Sequence, residues 1–299
     1  MSDPRRSRPP DQALRWVTES LGAGSRITSV RRLTAGGWSA NHALAVVDRA
    51  GAVHRLVLRR WARPEWSLED PDFGPAREAA VLELLAGSPV PAPRLVAADP
   101  DGAACDVPAL LISRLPGSTP GLPRDMAAFL AQLAGTLCEI HAVDGPTRDR
   151  IPAYRAYYDA GSVATPDWSR RPELWERARE IAAAGPPRGP RCFIHRDYHP
   201  ENTLWSRGRL TGVVDWTSGS WGPPGVDVGH MRWNLALTYG TDAADEFLRA
   251  LGPRIPPDQS YWDVVSVLDV VPELDAADWP RFDLERLERY LEGVFVNFG

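Results

Sequence analysis

Apolar and polar positions change their spacing along this chain, from the alternation typical of strands to the three-and-four spacing typical of helices. An opening segment has Leu14, Val17 and Leu21 on one helical face. Asp11, just before them, is a residue type that caps helices, so a first helix is predicted to begin there. The β-like runs ITSVRRL, SANHALAVVD and AVHRLVLRR follow, and the turn residues DRAG join the last two. This part of the chain predicts a mainly antiparallel sheet.

One helix and one further buried strand complete the first part. The segment GPAREAAVLELLAG consists of strong helix formers and ends at a glycine, and PALLISRLPG has the continuous apolar run of a buried strand. Beyond Pro116 the spacing becomes helical, with apolar residues at Leu130, Leu133, Leu137 and Ile140. The sequence therefore predicts an α+β protein with a β-rich first part and a helical second part.

Composition and charge narrow the classes of partner. The chain has 299 residues, 43% of them hydrophobic, which suffices for one large or two small domains. Its net charge is −5, so no basic field predicts nucleic acid as a partner. No apolar run approaches the roughly 18 residues of a membrane span, so no membrane partner is predicted. Three scattered cysteines favour a reducing cytoplasm over a disulfide framework.

The segment CFIHRDYHPENTLWSRGRLTGVVDW carries the candidate chemistry. Its first and last apolar runs are short predicted strands, and the loop between them contains His195, Asp197, His199 and Asn202. Two loops anchored on strands can bring Asp197, Asn202 and Asp215 around one point. Carboxylate and amide oxygens suit Mg²⁺, which retains substrate phosphates in its shell, and a further carboxylate can accept a hydroxyl proton. Phosphoryl transfer needs this combination.

The motif HRDYHPEN followed by VVDW resembles the aminoglycoside phosphotransferase family, whose fold is protein-kinase-like. The resemblance implies that Asp197 is the catalytic residue and that His195 supports its loop. It further implies that Asn202 and Asp215 hold the metal ions. The following segment, GPPGVDVGHMR, resembles the family segment in which an aspartate braces the catalytic loop, here Asp227.

The resemblance extends to the first part of the chain, moderately over 53–116 and weakly at the N-terminal loop, and implies a nucleotide site there. The segment LTAGGWSANHAL resembles the loop that covers the phosphates, through Gly36 and Gly37. Arg59 stands where the family carries a phosphate-binding lysine, and Glu78 would be its carboxylate partner. The connector LLISRLPG would line the adenine pocket with Ile112, Ser113 and Arg114.

These inferences predict a kinase-like protein with a small β-rich N-lobe and a larger helical C-lobe. The predicted parts are a disordered tail (1–10), a nucleotide-binding N-lobe (11–111), a hinge connector (112–117) and a catalytic, substrate-binding C-lobe (118–299). ATP or GTP would bind with Mg²⁺ between the lobes and donate its γ-phosphate to a hydroxyl group. The short span from Asp215 to Asp227 leaves no room for a long activation segment, which favours a small-molecule acceptor. Candidates are an aminoglycoside-like or other antibiotic, or a hydroxylated amine, acting in resistance or in metabolism; the oligomeric state is left open.

Two other classes of function stay open. A metal-dependent hydrolase could use His195, Asp197 and His199, although such zinc sites need further His or Cys ligands and no other histidine lies near this loop in sequence. A nucleotide-binding scaffold without catalysis is the other class, because Arg59 departs from the expected lysine. An arginine presents a planar fork where a lysine presents a point charge.

Overall fold

The computed structural model describes residues 8–33, 39–62, 74–146, 148–274 and 284–296. The chain forms two compact units. The first comprises Met1–Pro116, Gly145–Ile151 and Gly212–Gly219, and the second comprises Gly117–Asp144, Pro152–Thr211 and Ser220–Gly299. After Pro116 the chain therefore returns twice to the first unit, and the second return brings Asp215 into it.

The first unit is built on a five-stranded antiparallel sheet with the strand order β1-β2-β3-β5-β4. Its strands are β1 (Arg26–Arg32), β2 (Ala40–Val47), β3 (Val53–Arg60), β4 (Leu95–Asp99) and β5 (Ala109–Ser113). Helix α1 (Asp11–Ser20) precedes the sheet and α2 (Pro75–Leu85) follows β3. The predicted hairpin joins β2 to β3, with the Gly51 N–H donating to the Asp48 carbonyl at 3.0 Å. The mainly antiparallel sheet predicted for this part of the chain is confirmed.

The start of α1 differs from the sequence prediction. Asp11 is not the N-cap: Pro10 takes that position in extended conformation, and its carbonyl accepts the Leu14 N–H at 3.1 Å. The carboxylate of Asp11 lies in the first turn, where the positive end of the helix dipole favours it. The buried face consists of Ala13, Trp16 and Val17, and it packs on apolar side chains of the sheet.

The second unit is mainly helical. Its helices are α3 (Met126–His141), α4 (Pro172–Ala183), α5 (Gly225–Tyr239), α6 (Thr241–Leu251), α7 (Gln259–Leu274) and α8 (Leu284–Val296). Short strands β6 (Cys192–Ile194) and β9 (Ser220–Gly222) pair with each other, and β7 (Thr203–Ser206) pairs with β8 (Arg209–Val213), whose last two residues enter the first unit. Within the described ranges, every helix is too short or too polar to cross a bilayer.

Helix α5 lies at the centre of the second unit and carries site residues. Eleven of its residues are buried, so its position is set by packing on almost every side. A Cβ atom on Gly229 would lie 2.6 Å from the Trp262 carbonyl and from Ser266 Oγ, so the glycine permits a close crossing with α7. The buried Arg232 guanidinium also pairs with Asp263 of α7. These contacts hold α5, and with it Asp227 and the residues of the next turn, in one register.

Candidate functional site

The loop that follows β6 is held by one buried carboxylate. Asp227, in the first turn of α5, accepts the backbone N–H of His195 at 3.0 Å and that of Arg196 at 2.6 Å. The imidazole Nε2 of His141 lies 2.9 Å from the same carboxylate. Asp227 is fully buried, so these partners satisfy a charge that would otherwise be costly to bury. The loop is thereby tied to two helices of the unit, α3 and α5.

Asp197 is presented at the end of this braced turn. The amide nitrogen of Asn202 donates to the Asp197 carbonyl at 2.9 Å and to its carboxylate Oδ2 at 2.7 Å. The other oxygen, Oδ1, lies 3.1 Å from His230 Nε2 and 3.7 Å from His199 Nε2. The side chain keeps 41% of its surface exposed, so a ligand can reach a carboxylate whose orientation is already fixed.

The electrostatic surroundings keep Asp197 ionised. Burial would raise its pKa, but His199, His230 and His195 outweigh this effect and hold the pKa of Asp197 well below the ordinary value. Burial also lowers the pKa of His199, although the neighbouring carboxylate opposes this shift. At neutral pH the site therefore presents an anionic oxygen beside a neutral His199 ring.

The residue before Asp197 has a left-handed backbone, which non-glycine residues seldom adopt. Arg196 has φ +70°, and such a conformation persists only where the surroundings impose it. Its N–H donates to Asp227, its guanidinium donates to the Arg155 carbonyl, and the same group lies 3.4 Å from the centre of the Tyr157 ring. The turn that aims Asp197 is thus fixed from both its backbone and its side chain.

Removing the negative charge of Asp227 is expected to destabilise the protein. In Asp227→Asn one of the two backbone N–H groups would face an amide nitrogen, which leaves a buried donor without an acceptor. We expect the free energy of unfolding to fall by at least about 2 kcal/mol, measured by urea denaturation. The exposed Asp101 offers a matched control: Asp101→Asn should change stability little, and an equal loss in both variants would contradict the bracing role.

A second cluster of charges lies in the first unit. Arg59, at the end of β3, places Nε 3.1 Å from Glu78 Oε2 of α2 and Nη2 3.0 Å from Asp215 Oδ1. Thr217 Oγ1 also donates to Asp215 Oδ1 at 3.0 Å. Glu78 and Arg59 are buried, whereas the Asp215 side chain is 30% exposed. One guanidinium therefore joins β3, α2 and the turn that carries Asp215.

Helix α2 also fixes the turn after Asp215. The guanidinium of Arg77 donates from Nε to the Gly219 carbonyl at 3.0 Å and from Nη2 to the Ser218 carbonyl at 2.9 Å. Asp215 itself has φ +65°, the left-handed region again. Two adjacent residues of α2 therefore act on the turn that contains Asp215. Arg77 binds the backbone of the turn, and Glu78 pairs with Arg59, which in turn contacts Asp215.

The sharing of Arg59 between two carboxylates affects Glu78. Burial raises the pKa of Glu78 to about 7; Arg59 opposes the shift and Asp215 adds to it. Because the folded-state pKa exceeds the ordinary value of 4.5, the contribution of protonated Glu78 to the free energy of unfolding is fully present below pH 4.5. It is lost as the pH rises through about 7.

This shift predicts a pH dependence of stability for the nucleotide-free protein. Between pH 4.5 and 8 the wild type should lose up to about 3 kcal/mol of unfolding free energy relative to Glu78→Gln, which cannot ionise there. Denaturant titrations at a series of pH values measure the difference. Glu83→Gln, on the same helix but in an exposed pair with Arg150, should follow the wild-type curve; parallel curves for wild type and Glu78→Gln would overturn the assignment.

The other predicted nucleotide residues divide into two groups. Ile112, Ser113 and Arg114 lie at the end of β5 and just beyond it; Ser113 exchanges hydrogen bonds with the Arg94 backbone at 2.8 Å, and the Arg114 N–H donates to the Arg55 carbonyl at 2.9 Å. Gly36 and Gly37 lie outside the described residues. For both groups, contact with a nucleotide stays a prediction.

Some residues of the site escaped the sequence analysis. His230 is distant from the HRDYH loop in sequence, yet it lies 3.1 Å from Asp197. The sequence carries a usable signal, because His230 follows Asp227 by three positions on one helix, so both occupy the same face. Arg77 and His141 gave no signal of their own, since their partners are 86 residues or more away in sequence.

Similarity to known proteins identifies the family of this chain. A sequence profile of the phosphotransferase enzyme family (APH) matches residues 30–268. The chain belongs to this family. The predicted resemblance to the aminoglycoside phosphotransferases is confirmed, and with it the phosphotransferase class.

One curated relative is a kinase with a named substrate. The homoserine kinase of Rhodospirillum rubrum is 30% identical over 147 residues, which are 45% of this chain and 45% of that protein. The match therefore spans less than half the length of this relative.

Solved structures of the same class share the fold. A thermostable mutant of the aminoglycoside phosphotransferase APH(4)-Ia, in complex with AMP-PNP and hygromycin B, has a TM-score of 0.64 at 19% identity, covering 95% of this chain and 98% of that one. The macrolide 2'-phosphotransferase MphH of Brachybacterium faecium has a TM-score of 0.59 at 17% identity, with coverage of 95% and 98%. The predicted kinase-like α+β fold is confirmed by these likenesses.

Proposed function

We propose that this phosphotransferase moves the γ-phosphate of ATP, or of GTP, to a hydroxyl group of a small molecule. The observation that supports it best is the braced presentation of Asp197. Its carboxylate is ionised, oriented by Asn202 and still partly exposed, on a loop fixed by Asp227. An oriented anionic oxygen of this kind can hold an acceptor hydroxyl and take its proton late in the transfer.

The first unit would hold the phosphates. Arg59 is kept charged and oriented by Glu78, so it can contact phosphate oxygens as it now contacts Asp215. The donor atoms of Asn202 and Asp215 fit Mg²⁺, because both offer hard oxygens and the Asn202 nitrogen is already turned to Asp197. When bound, Mg²⁺ neutralises the charge of the phosphates. A cytoplasmic location fits the need for nucleotide and the three free cysteines.

The acceptor is expected to be a small hydroxylated molecule. Relatives are named for homoserine, for aminoglycosides and for macrolides, so the panel should contain homoserine, hygromycin B, a macrolide, and further hydroxylated amines. Mass spectrometry after incubation with ATP and Mg²⁺ should show one acceptor that gains a phosphoryl group, and a far slower gain with Asp197→Asn. ATP binding without transfer to any member would favour the non-catalytic scaffold.

Arg59 gives a test of the nucleotide site. Arg59→Ala should lower kcat/KM for the nucleotide by about 10- to 100-fold, as expected for the loss of a charged hydrogen bond. Arg59→Lys should recover part of this loss, since it restores the charge beside Glu78 but not the fork. The neighbouring Arg60 is an unsuitable control because it is buried in a pair with Asp106. The exposed Arg55 of the same strand is suitable, and an equal effect of Arg55→Ala would undo the assignment.

A further inference from the structure

Three potential metal ligands meet in the second unit. One carboxylate oxygen of Asp197 and one imidazole nitrogen each of His199 and His230 lie within 4.8 Å of one another. The two measured oxygen–nitrogen separations are 3.1 Å and 3.7 Å. Bond lengths near 2.0–2.1 Å around a tetrahedral zinc ion place neighbouring ligand atoms about 3.3 Å apart. The cluster therefore approaches the dimensions of a zinc site before any rearrangement.

Neighbouring side chains contact these potential ligands and fix their orientation. Asn202 binds Oδ2 of Asp197 at 2.7 Å, so Oδ1 is the oxygen directed at the histidines. The His230 ring packs edge-on against Trp233, with ring centres 5.2 Å apart, and against His199 at 5.6 Å. Such outer contacts commonly change metal affinity by about 10- to 100-fold.

The site is accessible and leaves room for a further ligand. The side chains of His199 and His230 are 18% and 24% exposed, and that of Asp197 is 41% exposed. Three protein ligands with an open fourth position are the arrangement of zinc sites that exchange a water or a small ligand. Imidazole nitrogens also distinguish this donor set from the oxygen-only set expected for Mg²⁺.

We propose that Asp197, His199 and His230 bind a first-row transition ion such as Zn²⁺, and that the bound ion inhibits phosphoryl transfer. The two histidine nitrogens make this a different ligand set from the oxygens of Asn202 and Asp215. A zinc ion on Oδ1 would occupy the carboxylate that must accept the hydroxyl proton. The inhibitory consequence rests on the proposed function, whereas the binding itself does not.

The binding is tested with the metal alone, on the full chain without nucleotide. Co²⁺ should give the intense visible absorption of a four-coordinate site, at one equivalent per chain, and Zn²⁺ should displace it. His199→Gln and His230→Gln should each weaken the apparent affinity at least about 10-fold. His54→Gln is the matched control, because His54 has a carboxylate partner, Asp48, at 2.7 Å but no third ligand in the described residues. Thermal melting of each variant shows whether it is folded.

An absence of the four-coordinate spectrum in the wild type, or a spectrum unchanged in both folded glutamine variants, would overturn the site. Loss of the spectrum in either folded variant, with His54→Gln unaffected, supports it. The inhibitory part is read separately, as the Zn²⁺ concentration that halves turnover. Turnover of each protein is expressed relative to its own zinc-free rate. The Zn²⁺ concentration that halves this relative turnover should be at least about 10-fold higher for His230→Gln than for the wild type. Zinc binding without inhibition would reject that second part alone, and an enzyme without turnover would reject the proposed function while the spectrum still decides the site.

Discussion

Asp197→Asn is expected to lower kcat by about 10²-fold or more while the affinity for nucleotide and Mg²⁺ is retained, the usual range when a general base is lost. The physical reason is that the two oxygens of the Asp197 carboxylate have different partners. Oδ2 is held by Asn202, and Oδ1 lies beside His230, so both oxygens already have defined roles. An asparagine keeps the shape but exchanges one of these oxygens for a donor nitrogen, which cannot accept a proton.

Two measurements separate this outcome from a general loss of structure. Calorimetric titration with ATP and Mg²⁺ reports nucleotide binding, and single-turnover transfer reports chemistry. Asp242→Asn, an exposed change in the first turn of α6, should leave both unchanged. Wild-type transfer by Asp197→Asn would remove Asp197 from the mechanism, and loss of nucleotide affinity as well would assign it a binding role.

Asp215→Ala is expected to abolish turnover and also to weaken nucleotide binding, but only the part of binding that depends on Mg²⁺. Asp215 lies 3.0 Å from Arg59 Nη2 and 3.0 Å from Thr217 Oγ1, so its loss removes an oxygen donor and frees half of the Arg59 fork. Without Mg²⁺ the variant should therefore bind nucleotide at least as well as the wild type. That reversal is the feature to look for in titrations with and without the metal.

Asp215→Asn is the matched comparison for this prediction. It keeps one oxygen and the turn, yet it removes the charge, so turnover should still fall sharply while Mg²⁺-dependent binding is less affected than in the alanine variant. Removing the carboxylate should also lower the pKa of Glu78, because Asp215 contributes to its rise. If binding with and without Mg²⁺ were lost equally in both variants, Asp215 would be a structural residue of the turn.

The sequence could predict those parts of the candidate site whose residues lie close together along the chain. Asp197 and Asn202 are five residues apart on one loop, and their hydrogen bonds at 2.9 Å and 2.7 Å follow from that spacing. The sheet was also predictable, because the β-like runs of β2 and β3 and the short turn between them indicate a hairpin, and the two strands pair antiparallel.

The remaining features depend on tertiary packing. His230 reaches Asp197 only because α5 is fixed by its close crossing with α7 at Gly229, a contact that no local pattern reports. The start of α1 was misjudged by one residue for a different reason. Pro10 occupies the N-cap position without a side-chain cap, so the helix begins although the usual capping signal is absent there, and Asp11 falls in its first turn.

The arginine at the end of β3 has a practical consequence for detecting this protein. The chain contains no lysine, so no side-chain amine can be acylated beside the buried pair of Arg59 and Glu78. A guanidinium stays protonated at any ordinary pH and is a poor nucleophile. If the proposed nucleotide site is correct, an amine-reactive nucleotide analogue would find no lysine there to acylate. We therefore expect such a reagent to leave the side chains of this protein unlabelled.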